Sequence, residues 1–230
     1  MIITIHQPEY LPWLGFFDRI IKSDIFVILD HVQYQKNCNI NRNRIKNANG
    51  PEWLTVPVYK KMDHMEISKV QIQNNLEWRE KHYKTIVMNY AKAAHFAQFH
   101  DLIKGIYEQN WDSISELDTA IIMNILEKLG VKKKIYKSSS LNPIGKSTDM
   151  LVDICKKLNG DAYLSGEGGK RYMDTKAFDD AGIKIMWQAF THPVYTQQYT
   201  KLGFISHLSF IDLLFNHGMD SLEILKHASL

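Results

Sequence analysis

Ile2-Ile3-Thr4-Ile5-His6-Gln7-Pro8 and, further on, Ile25-Phe26-Val27-Ile28-Leu29-Asp30 are the stretches whose reading decides the fold. The first is a β-branched run of the kind that forms a buried strand. Pro8 and Pro12 then stop regular pairing. Beyond Pro12, Leu14, Phe17, Ile20 and Ile21 recur at helical spacing. The second apolar run reads as another strand, ending at Asp30. Strand, loop, helix and strand in this order form a βαβ unit. It predicts a Rossmann-like α/β fold, with a mostly parallel sheet and helices on both faces.

Working outward, residues 33–49 form a polar segment rich in Asn, Lys and Arg, which reads as a loop closed by the turn signal Asn49-Gly50-Pro51. Strands are expected at 53–58 and, briefly, at 70–72. Residues 78–129 have a helical pattern, expected as several helices forming an insertion or lid, with Gly130 as its stop. Lys134-Ile135-Tyr136-Lys137 reads as a short strand. A helix is expected at 148–158, capped at its start by Ser147 or Thr148 and closed by Gly160. Strands follow at 162–165 and 183–187, and a final helix starts at Ser209. With no repeat or low-complexity tract, the chain reads as one domain over 1–230 carrying a helical insertion at 78–129.

The composition is 45% hydrophobic and 23% charged over 230 residues, which is enough for a sizeable core. A net charge of +3 suits an anionic small ligand without demanding nucleic acid. The two cysteines form no CxxC pair. The N-terminus has neither a basic region nor an apolar secretory core, and no apolar run approaches the roughly 20 residues of a membrane helix. A cytoplasmic location without membrane insertion is expected.

Ligands of open parallel sheets bind at the carboxyl ends of the strands, and four polar clusters follow strands here. His6-Gln7-Pro8-Glu9-Tyr10 follows the first. A helix starting just beyond would offer backbone N–H groups to phosphate, and His6 is suited to acid–base work. A second cluster holds Asp30, Gln33, Lys36, Asn41, Arg42 and Arg44; arginine forks fit phosphate or carboxylate. A third, Ser165-Gly166-Glu167-Gly168-Gly169-Lys170-Arg171, lets backbone approach a ligand closely. The fourth runs from Thr191 through His192, Pro193 and Tyr195 to Gln197. Each cluster also has a plain structural reading: a hydrogen-bonded core histidine, a solvated loop, a strand-to-helix turn, or a proline bend. If the strands are parallel neighbours, His6, Asp30, Ser165 and His192 would share one cleft. There His6 or His192 would be the base, the N–H groups of residues 166–169 would hold an oxyanion, and Lys170 with the arginines would supply cations.

Gly145-Lys146-Ser147-Thr148 imitates the end of a P-loop, but Ser140 stands where its first glycine belongs. No serine lies in GxSxG, and the ten histidines lack ligand spacing such as HExxH, so neither a triad nor a metal site is predicted.

Taken together, these segments resemble the WbqC-like family. The likeness is carried by His6-Gln7-Pro8, Tyr10-Leu11-Pro12-Trp13-Leu14-Gly15-Phe16-Phe17, Ser23 through Asp30, Asn41-Arg42-Asn43-Arg44-Ile45, Tyr163-Leu164-Ser165-Gly166, His192-Pro193-Val194-Tyr195 and Asp212-Leu213-Leu214-Phe215-Asn216. Family members occur among genes for surface polysaccharides, including O-antigen and lipopolysaccharide biosynthesis, and have been called glycine transferases. The resemblance implies transfer of an acyl or aminoacyl group, glycyl in type, to the amino group of a nucleotide-linked amino sugar. His6, Gln7 and His192 are the catalytic candidates. Tyr10, Asp30, Gln33, Lys36, Asn41, Arg42, Arg44, Ser165, Gly166, Lys170, Tyr195 and Gln197 are the binding candidates. A weaker likeness joins the opening βαβ unit to the nucleotidylyltransferase superfamily, some of whose members make amides through acyl adenylates. It makes ATP a candidate cofactor, although the HxGH pattern of that superfamily is missing. An aminoacyl-tRNA is an alternative donor that the modest charge does not indicate. Two other functions stay open: a non-catalytic nucleotide-sugar or glycan-binding protein, and a nucleotidylyltransferase.

Overall fold

The computed structural model describes residues 1–228. Its centre is a parallel sheet of five strands: β1 (Ile2–His6), β2 (Ile25–Ile28), β5 (Lys134–Lys137), β6 (Ala162–Ser165) and β7 (Lys184–Trp187), in the order β5-β2-β1-β6-β7. Every pair among them is parallel, Ile3 lying opposite Ile25 on one side and Tyr163 on the other. A separate antiparallel hairpin pairs β3 (Arg42–Asn47) with β4 (Gly50–Thr55).

Alternating side chains of the central strands serve two cores. Ile3, Ile5, Ile25 and Val27 pack against Ile154 and Cys155 of α6 (Ser147–Lys157) and Phe178 of α7 (Thr175–Asp180). Phe26 and Ile28 face the other way, towards Leu14, Phe17 and Ile20 of α1 (Leu14–Lys22). Helices thus cover both faces, as a buried parallel sheet requires. The core on the α1 side continues without a break through the hairpin into α2 (Trp78–Tyr90), α3 (Phe96–Glu108), α4 (Ile114–Lys128) and α8 (Phe210–His217). The helical segment expected at 78–129 is therefore three helices sharing the core of the sheet's α1 face.

The chain goes from β1 outward to β2 and β5. It then returns through α5 (Ser138–Leu141) and α6 to place β6 on the other side of β1. Connections leave in opposite directions from β1 and β6, which makes the gap above their carboxyl ends the topological switch point.

Five local expectations change. Arg42 to Asn47 is a strand rather than loop, because Asn43 and Ile45 turn inward while Arg42 and Arg44 turn towards solvent; the Asn43 amide donates to the Leu11 carbonyl at 2.7 Å. Residues 70–72 make only isolated bridges, to Val58 and Ser113. Neither Ser147 nor Thr148 caps α6: the capping position is Lys146, and the Thr148 hydroxyl accepts instead from the Asp174 N–H. The left-handed residue after α6 is Asn159, not Gly160. The last helix expected, α8, is followed by another, α9 (Ser221–His227). No helix among the described residues is long and apolar enough to cross a membrane.

Candidate functional site

A cavity of about 620 Å³ opens at the switch point. His6 at the end of β1, Ser165 and Gly166 at the end of β6, and His192 beyond β7 all line it, joined by Trp13, Arg19 and His207. Three of the four strand-end clusters therefore meet. Asp30 does not join them: buried at the end of β2, it accepts from the Ser139 N–H (2.9 Å) and hydroxyl (2.9 Å) and from the Ser138 hydroxyl (3.1 Å), holding the start of α5. Its position follows from the strand order, since β2 lies across β1 from β6.

His6 Nδ1 lies 2.8 Å from the Gln7 carbonyl. A carbonyl only accepts, so Nδ1 carries the proton and Nε2 of the neutral ring carries the lone pair. Nε2 meets no hydrogen-bonding partner among the described residues. Burial, and then the Arg19 cation, lower the imidazole to a pKa of about 3, against the gain from the Gln7 carbonyl. The ring is neutral at pH 7. His192 has a different setting. Its Nδ1 donates to the Pro193 carbonyl at 2.9 Å, and its Nε2 accepts from the His207 N–H at 3.1 Å. Both nitrogens are engaged, so His192 holds the returning loop in place. His207 stacks on Trp13 with ring centroids 5.6 Å apart.

The start of α1 is not open to phosphate in the manner expected. The Trp13 indole lies so close to Gly15 that a Cβ there would sit 2.1 Å from it. An aromatic ring roofs the helix N-terminus, and glycine at position 15 makes room for it.

The remaining candidates lie as follows. The Tyr10 hydroxyl is buried between Tyr107 and His82, among the helices behind the crevice. Gln33 bonds to His64, and Lys36 is exposed on the loop before β3. Asn41 is buried, its amide donating to the Val56 carbonyl. Arg42 and Arg44 both lie over the half-exposed Trp53 indole, and Arg44 reaches the crevice rim by donating to the His207 carbonyl at 3.3 Å. Lys170 pairs with Glu167. Tyr195 and Gln197 both donate to the buried carboxylate of Asp212.

Sequence reasoning missed Arg19, Trp13 and His207 as lining residues, and gave no role to Glu9, a member of the first polar cluster. No local signal marked Arg19: Gly15, Asp18, Arg19 and Lys22 recur at the spacing of a solvent-facing polar stripe, yet Asp18 and Arg19 are buried. Glu9 is 5% exposed, its Oε1 lies 3.8 Å from His6 Nδ1, and its Oε2 is buried without a partner. Burial raises its pKa from 4.5 to about 7, against the pull of Arg19 and Asn39. Behind it Asp118 of α4, fully buried, is raised further by burial and by Glu9 itself.

A stability signature follows. Between pH 4.5 and about 7 the folded chain keeps the Glu9 proton that the unfolded chain releases, so stability falls as pH rises through that window. Glu9→Gln removes the titration and is expected to stabilise the protein by up to about 3 kcal/mol above pH 7, with little effect below pH 4.5. Urea melts at about pH 5 and pH 8 check it; parallel pH trends for parent and variant would count against it.

The model of the WbqC-like protein family matches residues 7–224. The chain is 34% identical over 229 residues to the Uncharacterized protein Rv1507c of Mycobacterium tuberculosis (strain ATCC 25618 / H37Rv), covering 98% of this chain and 97% of that protein. No solved structure matches. Because that match covers nearly the whole of the 230 residues, the chain belongs to the WbqC-like protein family.

Proposed function

We propose that the crevice above β1 and β6 transfers an acyl or aminoacyl group, glycyl in type, to the amino group of a nucleotide-linked amino sugar, in the making of a surface polysaccharide. The observation that carries this reading is the neutral His6 ring, its Nε2 unpaired, in a cavity at the switch point of a nucleotide-binding type of sheet. The amine nitrogen attacks the acyl carbon. The new N–C bond forms as the bond to the donor's leaving oxygen breaks, that oxygen keeping the electron pair. His6 Nε2 takes the proton the amine sheds and returns it to the leaving oxygen. The N–H groups of Glu167 and Gly168 precede the first internal hydrogen bond of their turn, from the Gly169 N–H to the Gly166 carbonyl, and both residues line the cavity. They are the donors suited to the carbonyl oxygen as it gains charge.

The test is mass spectrometry of a nucleotide-linked amino sugar incubated with the protein and an amino acid plus ATP, or with an aminoacyl-tRNA. The expected result is a sugar heavier by the acyl group in one arm. Sugar bound but unchanged in every arm would favour a binding protein, and pyrophosphate released without an amide would favour a nucleotidylyltransferase.

A further inference from the structure

We infer that Arg19 is the anchor for a small oxyanion, a carboxylate or a phosphate, entering the crevice, and that Glu9 is the internal carboxyl competing with it. The inference rests on the crevice being the ligand site, as proposed above, and not on the transfer chemistry.

Arg19 is 7% exposed, yet none of its nitrogens makes a hydrogen bond to a described residue, and its Nε is shut away without a partner. Its neighbours Glu9, Asp18, Tyr163 and Tyr172 act on it only through space. Asp18 accepts from Gln188 at 2.7 Å and pairs with Lys22 at 3.0 Å. A buried guanidinium without hydrogen bonds is costly, and a bidentate oxyanion is the partner its fork fits. The cavity gives such a group access. Arg19 lines it, and a Cβ on Gly166 would come within 3.2 Å of Nη1. The bare backbone of Gly166 leaves that nitrogen uncovered.

No other lysine or arginine lines the cavity among the described residues. Glu9 acts on Arg19 through space, with His6, Asn39 and Asp118 as its other neighbours, while Glu167, the carboxyl lining the cavity itself, is paired with Lys170. When Glu9 is protonated, Arg19 is free for an incoming anion; when it ionises, it neutralises Arg19 from within. An anion seated on Arg19 also removes one of the two influences that keep a proton off His6, burial being the larger. The anchor thereby prepares the base.

Calorimetric titration of the full chain with inorganic phosphate, with glycine and with a nucleoside diphosphate tests the inference at about pH 6 and pH 8. At least one probe is expected to bind, and glycine, if it binds, to do so more weakly at the higher pH; which one binds separates a carboxylate ligand from a phosphate. Arg19→Lys keeps charge but loses the fork, and is expected to weaken binding about tenfold or more. Gly166→Ala, allowed by a backbone φ of −70°, is expected to weaken it as well and carries the test if Arg19→Lys misfolds. Glu9→Gln is expected to abolish the difference between the two pH values for glycine, whose carboxylate is ionised at both. No binding by any probe, or parental affinity in both Arg19→Lys and Gly166→Ala, overturns the anchor. Tight, Arg19-dependent binding with no amide formed would sink the transfer reading and leave the anchor standing.

Discussion

Replacing His6 with Ala is expected to cut turnover by about 100- to 10,000-fold while leaving the fold intact, the range a positioned acid–base contributes. The ring packs edge-on against Phe16 with centroids 5.3 Å apart and is partly open to the cavity, so its loss removes little core. The comparison variant is His192→Ala. Its Nε2 is already engaged by the His207 N–H, so its removal loosens the loop and is expected to act mainly on KM. Circular dichroism and steady-state kinetics on the two variants check this. Full turnover in folded His6→Ala would end the claim that His6 is the base.

The second large effect is on stability. Asp212→Ala is expected to cost about 3–5 kcal/mol, the range seen when a buried charge loses its partner. Asp212 is fully buried in α8 and accepts from the Tyr90 hydroxyl (2.7 Å), the Tyr195 hydroxyl (3.0 Å) and the Gln197 amide (2.9 Å). Lys46, itself fully buried, donates to Gln197 Oε1 at 3.1 Å and to the Gly203 carbonyl at 2.6 Å. Removing the carboxylate leaves three donors and one cation without compensation. Because this network ties the 190–209 loop to α8 and β3, the crevice wall carrying His192 and His207 should loosen too. A denaturation midpoint close to that of the parent would refute the network's role.

The β1-α1-β2 unit could be read because its apolar periods switch cleanly from strand to helix and back. The same patterning exposed the helices within 78–129. The β3 strand escaped, because its buried positions hold Asn43 on one face and Lys46 on the other as well as Ile45, and buried polar groups erase the apolar alternation. His6, Ser165 and His192 could be placed near one another once the strands were taken as parallel. Asp30 was misleading for the same reason: a strand end marks where a side chain sits along the sheet, not on which side of the switch point. Arg19 lay in a helix read for its apolar stripe, and its importance comes from its placement in the fold, close beside the Gly166 turn and under the through-space influence of Glu9. Such pairings depend on tertiary placement, which a local pattern does not carry.

The central claim is that ligand binds above β1 and β6. A crystal structure of the protein soaked with a nucleotide-linked amino sugar tests it most directly. Ligand density against His6, Arg19 and Gly166 is the result predicted. Density instead in the groove between α2 and α3, beside Arg79, Tyr83 and Lys104, with the crevice unchanged, would contradict it.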